Sequence, residues 1–270
     1  MFAQQPAPVQ VAWLGYPNTS GLTRIQYRLS DRYADPPGST DQLHTETLVR
    51  LPNSQWCYRP PISVDCAVVP PCKRTGYITF GSFNQVTKLS SSTRKMWAEI
   101  LARLPDSRLV IAGVPVGHAR DGLLRDLGGA QMAADRITFA PPVALEEYFR
   151  RFNAVDLALD PAPYSGCTTT CDTLWMGVPV ITVPGTLPAS RTTASILSTV
   201  GLKEWIASTP EAYVQMAVER ASDEATLAEL LGSLRQRMRE SPLMDELGFA
   251  RDIENAFRQM WRAWCNTAKS

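Results

Sequence analysis

Long apolar runs are missing from this chain of 270 residues. No stretch approaches the roughly 20 residues needed to span a bilayer, so a membrane-spanning helix is excluded. Charge of one sign is missing too: 27 Lys+Arg stand against 26 Asp+Glu, for a formal net charge of +1. A dedicated nucleic-acid binder needs surplus cations to neutralise phosphates, and that class drops out. Cysteine is sparse at six residues, which excludes a disulfide scaffold. Cys167 and Cys171 would share one helical face, but the nearest histidine is His118 and no CxxC pair accompanies them, so a zinc reading fails and no metal is expected. The only two histidines, His44 and His118, read as incidental polar residues. Residues 1–13 lack a basic segment followed by an apolar one, so no secretory signal is expected and the chain reads as soluble and cytoplasmic.

What remains is an ordinary globular balance, 44% hydrophobic and 20% charged, enough for one large or two modest domains. Residues 1–75 are rich in turns (NTSG at 18–21, DPPGST at 35–40, a proline-laden run at 59–72), with isolated strands expected at Val9–Leu14 and Thr47–Leu51. They read as an extension that packs on something else.

From residue 76 short apolar runs alternate with helical patterns. Strands are expected at 77–80, 108–113, 136–139, 155–159 and 179–183. Helices are expected at 90–104 (capped by Ser91 or Ser92), 119–129, 144–153, 168–176 and 189–199. Apolar strands between helices predict an α/β unit, a Rossmann-like parallel sheet with helices on both faces, over 76–208. Beyond it, 209–270 reads as C-terminal helices that pack back on the lobe.

In an open parallel sheet ligands bind beyond the carboxyl ends of the strands, which directs attention to the loops at 81–88, 140–144 and 160–172. In the last, Gly166 permits close backbone approach and Thr168, Thr169 and Thr170 open a helix. The unpaired N–H groups and positive dipole end of such a helix suit a phosphate, and Asp172, one turn in, could accept bonds from a ribose diol. Routine helix capping explains the same residues, and spacing leaves both readings open. Lys88 supplies a cation that could meet a diphosphate at that helix. Neither GxGxxG nor GxxxxGK[ST] is present, which disfavours a dinucleotide cofactor and a Walker-type NTPase.

The segments PVQVAWLGYPNTSG (8–21), FGSFNQVTK (80–88), SGCTTTCDTLWMGVPVIT (165–182) and LPASRTTASILSTVGL (187–202), with closing SPL and MW motifs, resemble the catalytic region of O-linked N-acetylglucosamine transferases, bacterial tetratricopeptide-repeat-type relatives included. The likeness runs over nearly the whole chain. It implies the C-terminal lobe of a GT-B glycosyltransferase, a UDP-GlcNAc donor and a Ser/Thr protein acceptor, with inverting chemistry and neither metal nor cofactor. By position it implies pyrophosphate contacts from Gln85 and Lys88, with Lys88 also stabilising the leaving group as the catalytic cation. It implies phosphate ligands Thr168 and Thr169, a ribose-binding Asp172, a sugar-pocket loop Leu14-Gly15-Tyr16-Pro17, and uracil contacts near Val143 and Ala144.

Two positions depart from the family pattern: Cys167 and Tyr148 stand where it has histidines. Tyrosine still stacks on a base, whereas cysteine offers no imidazole donor. The family's N-terminal lobe and repeats have no counterpart in these residues, so the chain reads as a donor-binding half, either truncated from a longer chain or completed by a separate lobe or repeat protein as partner. Two other roles stay open at this point: a degenerate UDP-binding module without transferase activity, and a UDP-glucose-dependent N-glucosyltransferase relative.

Overall fold

The computed structural model describes residues 1–128 and 136–267. Two parallel sheets organise them. The smaller, in the order β1-β2-β3, joins β1 (Val11–Ala12), β2 (Tyr27–Asp31) and β3 (Thr47–Leu51). Tyr27 pairs with Thr47 and Asp31 with Leu51. The strands expected to be isolated are therefore paired, through a strand that apolar patterning missed. β2 reads YRLSD, and its buried Arg28, Ser30 and Asp31 are hydrogen-bonded, although the Arg28 Nε has no partner.

The larger sheet has the order β6-β5-β4-β7-β8, with every neighbouring pair parallel. Its strands are β4 (Thr79–Ser82), β5 (Arg108–Ala112), β6 (Ile137–Ala140), β7 (Leu157–Leu159) and β8 (Val180–Ile181). β4 starts later than its tyrosine-led run suggests and runs through the glycine, because Gly81 and Ser82 extend the ladder opposite Val110 and Ile111. From central β4 the chain moves outward to β5 and β6, then returns to the other side of β4 for β7 and β8. The switch point of the topology lies between β4 and β7.

A short α1 (Cys72–Thr75) enters this lobe, and α2 (Ser91–Arg103), α3 (His118–Asp126), α4 (Leu145–Arg151), α5 (Thr168–Trp175) and α6 (Thr192–Val200) follow successive strands. Helices cover both faces. Ser90, not Ser91 or Ser92, caps α2, its hydroxyl accepting from the Thr93 N–H. Gly129, the end of the helix expected at 119–129, lies outside the described residues. Helices α7 (Pro210–Ala221), α8 (Glu224–Glu240) and α9 (Glu246–Thr267) complete the chain.

One core unites Phe80, Leu109 and Leu157 of the sheet with Trp97 of α2, Tyr213 of α7 and Leu234 of α8, and it draws in Trp56 and Tyr58 from the N-terminal segment. α9 crosses back to the small sheet, packing Ala256 and Met260 on Leu29 and Leu51. Among the described residues no helix is long and apolar enough to cross a membrane.

Candidate functional site

The crevice of this lobe opens where the loops after β4 and β7 diverge, the position at which open parallel sheets bind ligands. From the β4 side come Asn84, Gln85 and Lys88, the last on a short 3-10 turn at Val86–Lys88. From the β7 side come Asp160, Tyr164 and Ser165, then the start of α5.

The two loops meet directly. The Lys88 ammonium donates to the Ser165 carbonyl at 2.8 Å, three residues ahead of the first residue of α5. It also sits 4.3 Å from the centroid of the Tyr164 ring, a cation–π arrangement that holds the side chain extended. An ammonium carries three donors, and Ser165 occupies one. Thr169 donates its hydroxyl to the Asn84 side chain at 3.0 Å. The cation and the helix opening expected to cooperate are thus brought together across the crevice.

No side chain caps the N-terminus of α5, so capping does not account for the threonines there. Thr168 is exposed and Thr169 half-buried, whereas Thr170 is buried and bonded to Thr193 at 2.9 Å. Gly166 is required by close packing: a Cβ on it would meet Thr170 Oγ1 at 2.4 Å and Asp160 Oδ1 at 3.0 Å. Cys167 lies at the junction, its thiol pushed up to about 11 by burial, against the opposing pull of the Lys88 charge. It is a neutral thiol at neutral pH and brings no charge to the site.

Asp160, at the carboxyl end of β7, escaped the sequence reading. It is 2% exposed and accepts from the Gly166 N–H and the Thr182 hydroxyl, both at 2.7 Å. Burial raises its carboxyl to about 6, although hydrogen bonds from Thr182 and Gly166 and the nearby Lys88 charge pull the other way. Burial likewise lowers the Lys88 ammonium, with the Asp160 charge opposing. A carboxyl end of a strand in such a sheet was the one available signal for Asp160. Tyr164 and Asn84 had no more than their loop membership.

Beside the 84–88 loop lies a cleft of about 630 Å³ at the carboxyl ends of β4, β5 and β6. Phe83, Gln85, Val143, Leu145 and Tyr148 line it. Its lining is mostly apolar, and Gln85 and Val143 are part of it. Ala144 is exposed at the start of α4.

Tyr148 is fixed there by edge-to-face contacts with Phe83, Phe149 and Phe152 at centroid distances of 6.0, 5.3 and 5.2 Å. Its hydroxyl donates to Asp172 at 3.0 Å, and the Tyr58 hydroxyl donates to the other oxygen of the same carboxylate at 2.8 Å. Asp172 is 5% exposed, and burial raises its carboxyl against those two bonds. In this arrangement Asp172 anchors both Tyr148 and Tyr58, one on each oxygen, and each oxygen keeps a further acceptor site.

Leu14, Gly15 and Tyr16 are exposed, with Pro17 half-buried behind them. The Tyr164 phenol is raised by burial and then by Tyr16 and Cys167. The histidines lie elsewhere: His44 pairs with buried Asp35 at 3.2 Å, and His118 is exposed at the start of α3. Among the described residues no three His, Cys, Asp or Glu side chains are grouped to hold a metal ion.

The sequence matches the model of glycosyl transferase family 41 over residues 1–57 and 74–253. It is 41% identical over 269 residues to the probable UDP-N-acetylglucosamine–peptide N-acetylglucosaminyltransferase SPINDLY of Petunia hybrida, covering 98% of this chain and 29% of that protein. It is 31% identical over 276 residues to the protein of the same description, SEC, of Arabidopsis thaliana, covering 98% and 28%. The chain thus spans less than a third of the length of these relatives. Among solved structures it is similar to the K341M mutant of Thermobaculum terrenum O-GlcNAc transferase, with TM-score 0.90 and 38% identity over 99% of this chain and 51% of that one. The Staphylococcus aureus protein TarM, at 9% identity and TM-score 0.57, shares the fold alone. The larger sheet and its helices are accordingly the C-terminal lobe of a GT-B fold.

Proposed function

The chain belongs to glycosyl transferase family 41, and from that premise we propose that it is the donor-binding half of a UDP-sugar-dependent protein glycosyltransferase, moving N-acetylglucosamine from UDP-GlcNAc to Ser or Thr. The observation that carries this is the Lys88 ammonium bonded to the Ser165 carbonyl at the mouth of α5. A diphosphate arriving there meets a fixed cation on one side and, on the other, uncapped helix N–H groups with the Thr168 hydroxyl, the single Thr169 O–H proton being held by Asn84.

In the transfer, the acceptor hydroxyl attacks the anomeric carbon, the bond from that carbon to the diphosphate oxygen breaks, and charge accumulates on the departing UDP. A cation already held in place by Ser165 and Tyr164 stabilises that charge with little reorganisation, the type of effect that dominates such catalysis. Lys88 supplies this without any metal or other cofactor. Asp160 keeps the Gly166 turn closed beneath the site, and the base lies against Tyr148 in the neighbouring cleft.

The acceptor side and its proton acceptor belong to an N-terminal lobe, whether on the same polypeptide or another, with which repeats that grip the protein substrate would come. The exposed Phe257, Trp261 and Trp264 of α9 and the short edge strand β1 support such a neighbour. Six free thiols fit the reducing cytoplasm. The test is titration with UDP, UDP-GlcNAc and UDP-glucose, followed by transfer to a Ser/Thr peptide with the N-terminal lobe supplied. Tighter binding of UDP-GlcNAc than UDP-glucose and transfer to the hydroxyl are expected. Binding of UDP with no transfer by the completed protein would instead identify a degenerate binding module.

A further inference from the structure

One peptide unit, between Ser165 and Gly166, is held at both ends by charged side chains. Its carbonyl accepts from the Lys88 ammonium at 2.8 Å, and its N–H donates to Asp160 Oδ1 at 2.7 Å. The peptide therefore lies between a cation and a buried carboxyl, polarised in the direction that each favours. The other carboxyl oxygen, Oδ2, accepts from the Thr182 hydroxyl at 2.7 Å. Burying a carboxylate is costly unless it is matched, and these two bonds do not by themselves demand one. Asparagine would offer the same acceptor to the Gly166 N–H and an amide donor to Thr182. What the carboxylate adds is charge.

The elements packed around Asp160 bring mostly neutral groups. Ser82 comes from β4, Thr170 from α5, Thr182 from the segment after β8 and Thr193 from α6. Two titratable neighbours, Cys167 adjoining Gly166 and Tyr213 of α7, are pushed up by burial and stay uncharged at neutral pH. The Tyr213 hydroxyl donates to the Asp160 backbone carbonyl at 3.0 Å. Lys88 is the opposing charge, and it stands across the shared peptide. The neutral carboxyl also has a place here. Asp160 and buried Ser82 line a cavity of about 10 Å³, room for a single water. The Ser82 hydroxyl has no partner among the described residues, so it offers an acceptor on that side.

A diphosphate brings negative charge to Lys88. The ammonium then answers the ligand, and the carboxylate behind the same peptide is left facing like charge, which favours its neutral form. We propose that donor binding draws a proton from solvent onto Asp160, a charged partner of Lys88 in the free protein and a neutral one in the complex. Asp160 is thus a positioning residue that acts on the donor through Lys88. The inference rests on the donor-site reading given under Proposed function and deepens it by making the proton part of what binds. The free carboxyl titrates at about 6, burial raising it against the bonds from Thr182 and Gly166 and the Lys88 charge. The complex keeps its proton to higher pH than that, so affinity rises as pH falls through the window between the two values.

The test is calorimetric titration of the full chain with UDP-GlcNAc, whose doubly esterified diphosphate keeps its charge where a terminal phosphate would titrate. Measured at about pH 7 in two buffers of different ionisation heat, wild type should take up about half a proton per donor bound. It should bind about five-fold more tightly at about pH 6 than at about pH 8. Asp160→Asn should bind with no proton uptake and with an affinity that is flat over that range, no weaker than wild type at its alkaline end. Thr182→Val removes one bond to the charged carboxylate, so it should move the wild-type profile to higher pH. It carries the test if Asp160→Asn does not fold. Weakening by Asp160→Asn that is equal at every pH marks a merely structural carboxylate and overturns the proposal. Uptake that survives in Asp160→Asn, or a Thr182→Val profile that superposes on wild type, does the same. Folded wild type that binds neither UDP-GlcNAc nor UDP overturns the donor-site reading itself, and this proposal with it. Wild-type binding without proton uptake overturns the proposal alone.

Discussion

The hydroxyl of Thr169 donates to the side chain of Asn84 at 3.0 Å, across the gap where β4 and β7 send their loops apart. Asn84 is buried and Thr169 stands in the first turn of α5. With the bond from Lys88 to Ser165 a short distance away, it ties the two walls of the crevice before any ligand arrives. Preorganisation of that kind is what lets a fixed cation act on developing charge.

Gly166→Ala should disturb this junction directly. The added methyl would fall 2.4 Å from Thr170 Oγ1 and 3.1 Å from Thr169 Oγ1, so the helix opening must shift. Overpacking of this order costs about 1–3 kcal/mol. Urea unfolding should show that loss, and calorimetry should show UDP binding weakened by about ten-fold or more. Unchanged binding would mean that the helix opening does not contact the nucleotide.

Asp160 should leave a signature in the pH dependence of stability. Its folded value of about 6 lies above the ordinary carboxyl value of 3.8. Between those two values the folded state holds a proton that the unfolded state has released. Stability from this group therefore rises as pH falls through 6 towards 3.8, with a limiting slope of about 1.4 kcal/mol per pH unit. Subtracting the Asp160→Asn profile from the wild-type profile isolates the slope. A flat difference would contradict the assignment.

Tyr148 and Tyr58 share one carboxylate but should behave differently. Tyr58→Phe and Tyr148→Phe each leave an oxygen of buried Asp172 without its donor, at a cost of about 1–3 kcal/mol in unfolding experiments. Tyr148 alone lines the base cleft. Tyr148→Ala should therefore weaken nucleotide binding further than Tyr148→Phe, whereas Tyr58→Phe should leave it nearly unchanged. Equal effects of all three would remove Tyr148 from the base site.

Much of the lobe was legible because buried parallel strands are short and apolar, so Leu157–Leu159 and Val180–Ile181 stand out between helical stretches. β2 was not legible, since Arg28, Ser30 and Asp31 look like loop residues until their hydrogen-bond partners, from Asp35 nearby to Ser195 far along the chain, are known. Lys88 and the threonines could be suspected from loop position alone. Their meeting depends on Ser165 and Asn84, whose roles arise only when β4 and β7 become neighbours. Asp172 shows the reverse case: its spacing on α5 suggested a ligand, and the fold gives both of its oxygens to tyrosines drawn from other segments.

The central claim is that Lys88 and the opening of α5 hold a diphosphate together, and one titration tests it most directly. UDP is added to folded wild-type protein, to Lys88→Ala and to Lys88→Arg, with heat measured and folding checked by unfolding curves. Wild type should bind, Lys88→Ala should show no measurable binding while remaining folded, and Lys88→Arg should retain part of the affinity. Undiminished binding by folded Lys88→Ala, or no heat from folded wild type, would contradict it.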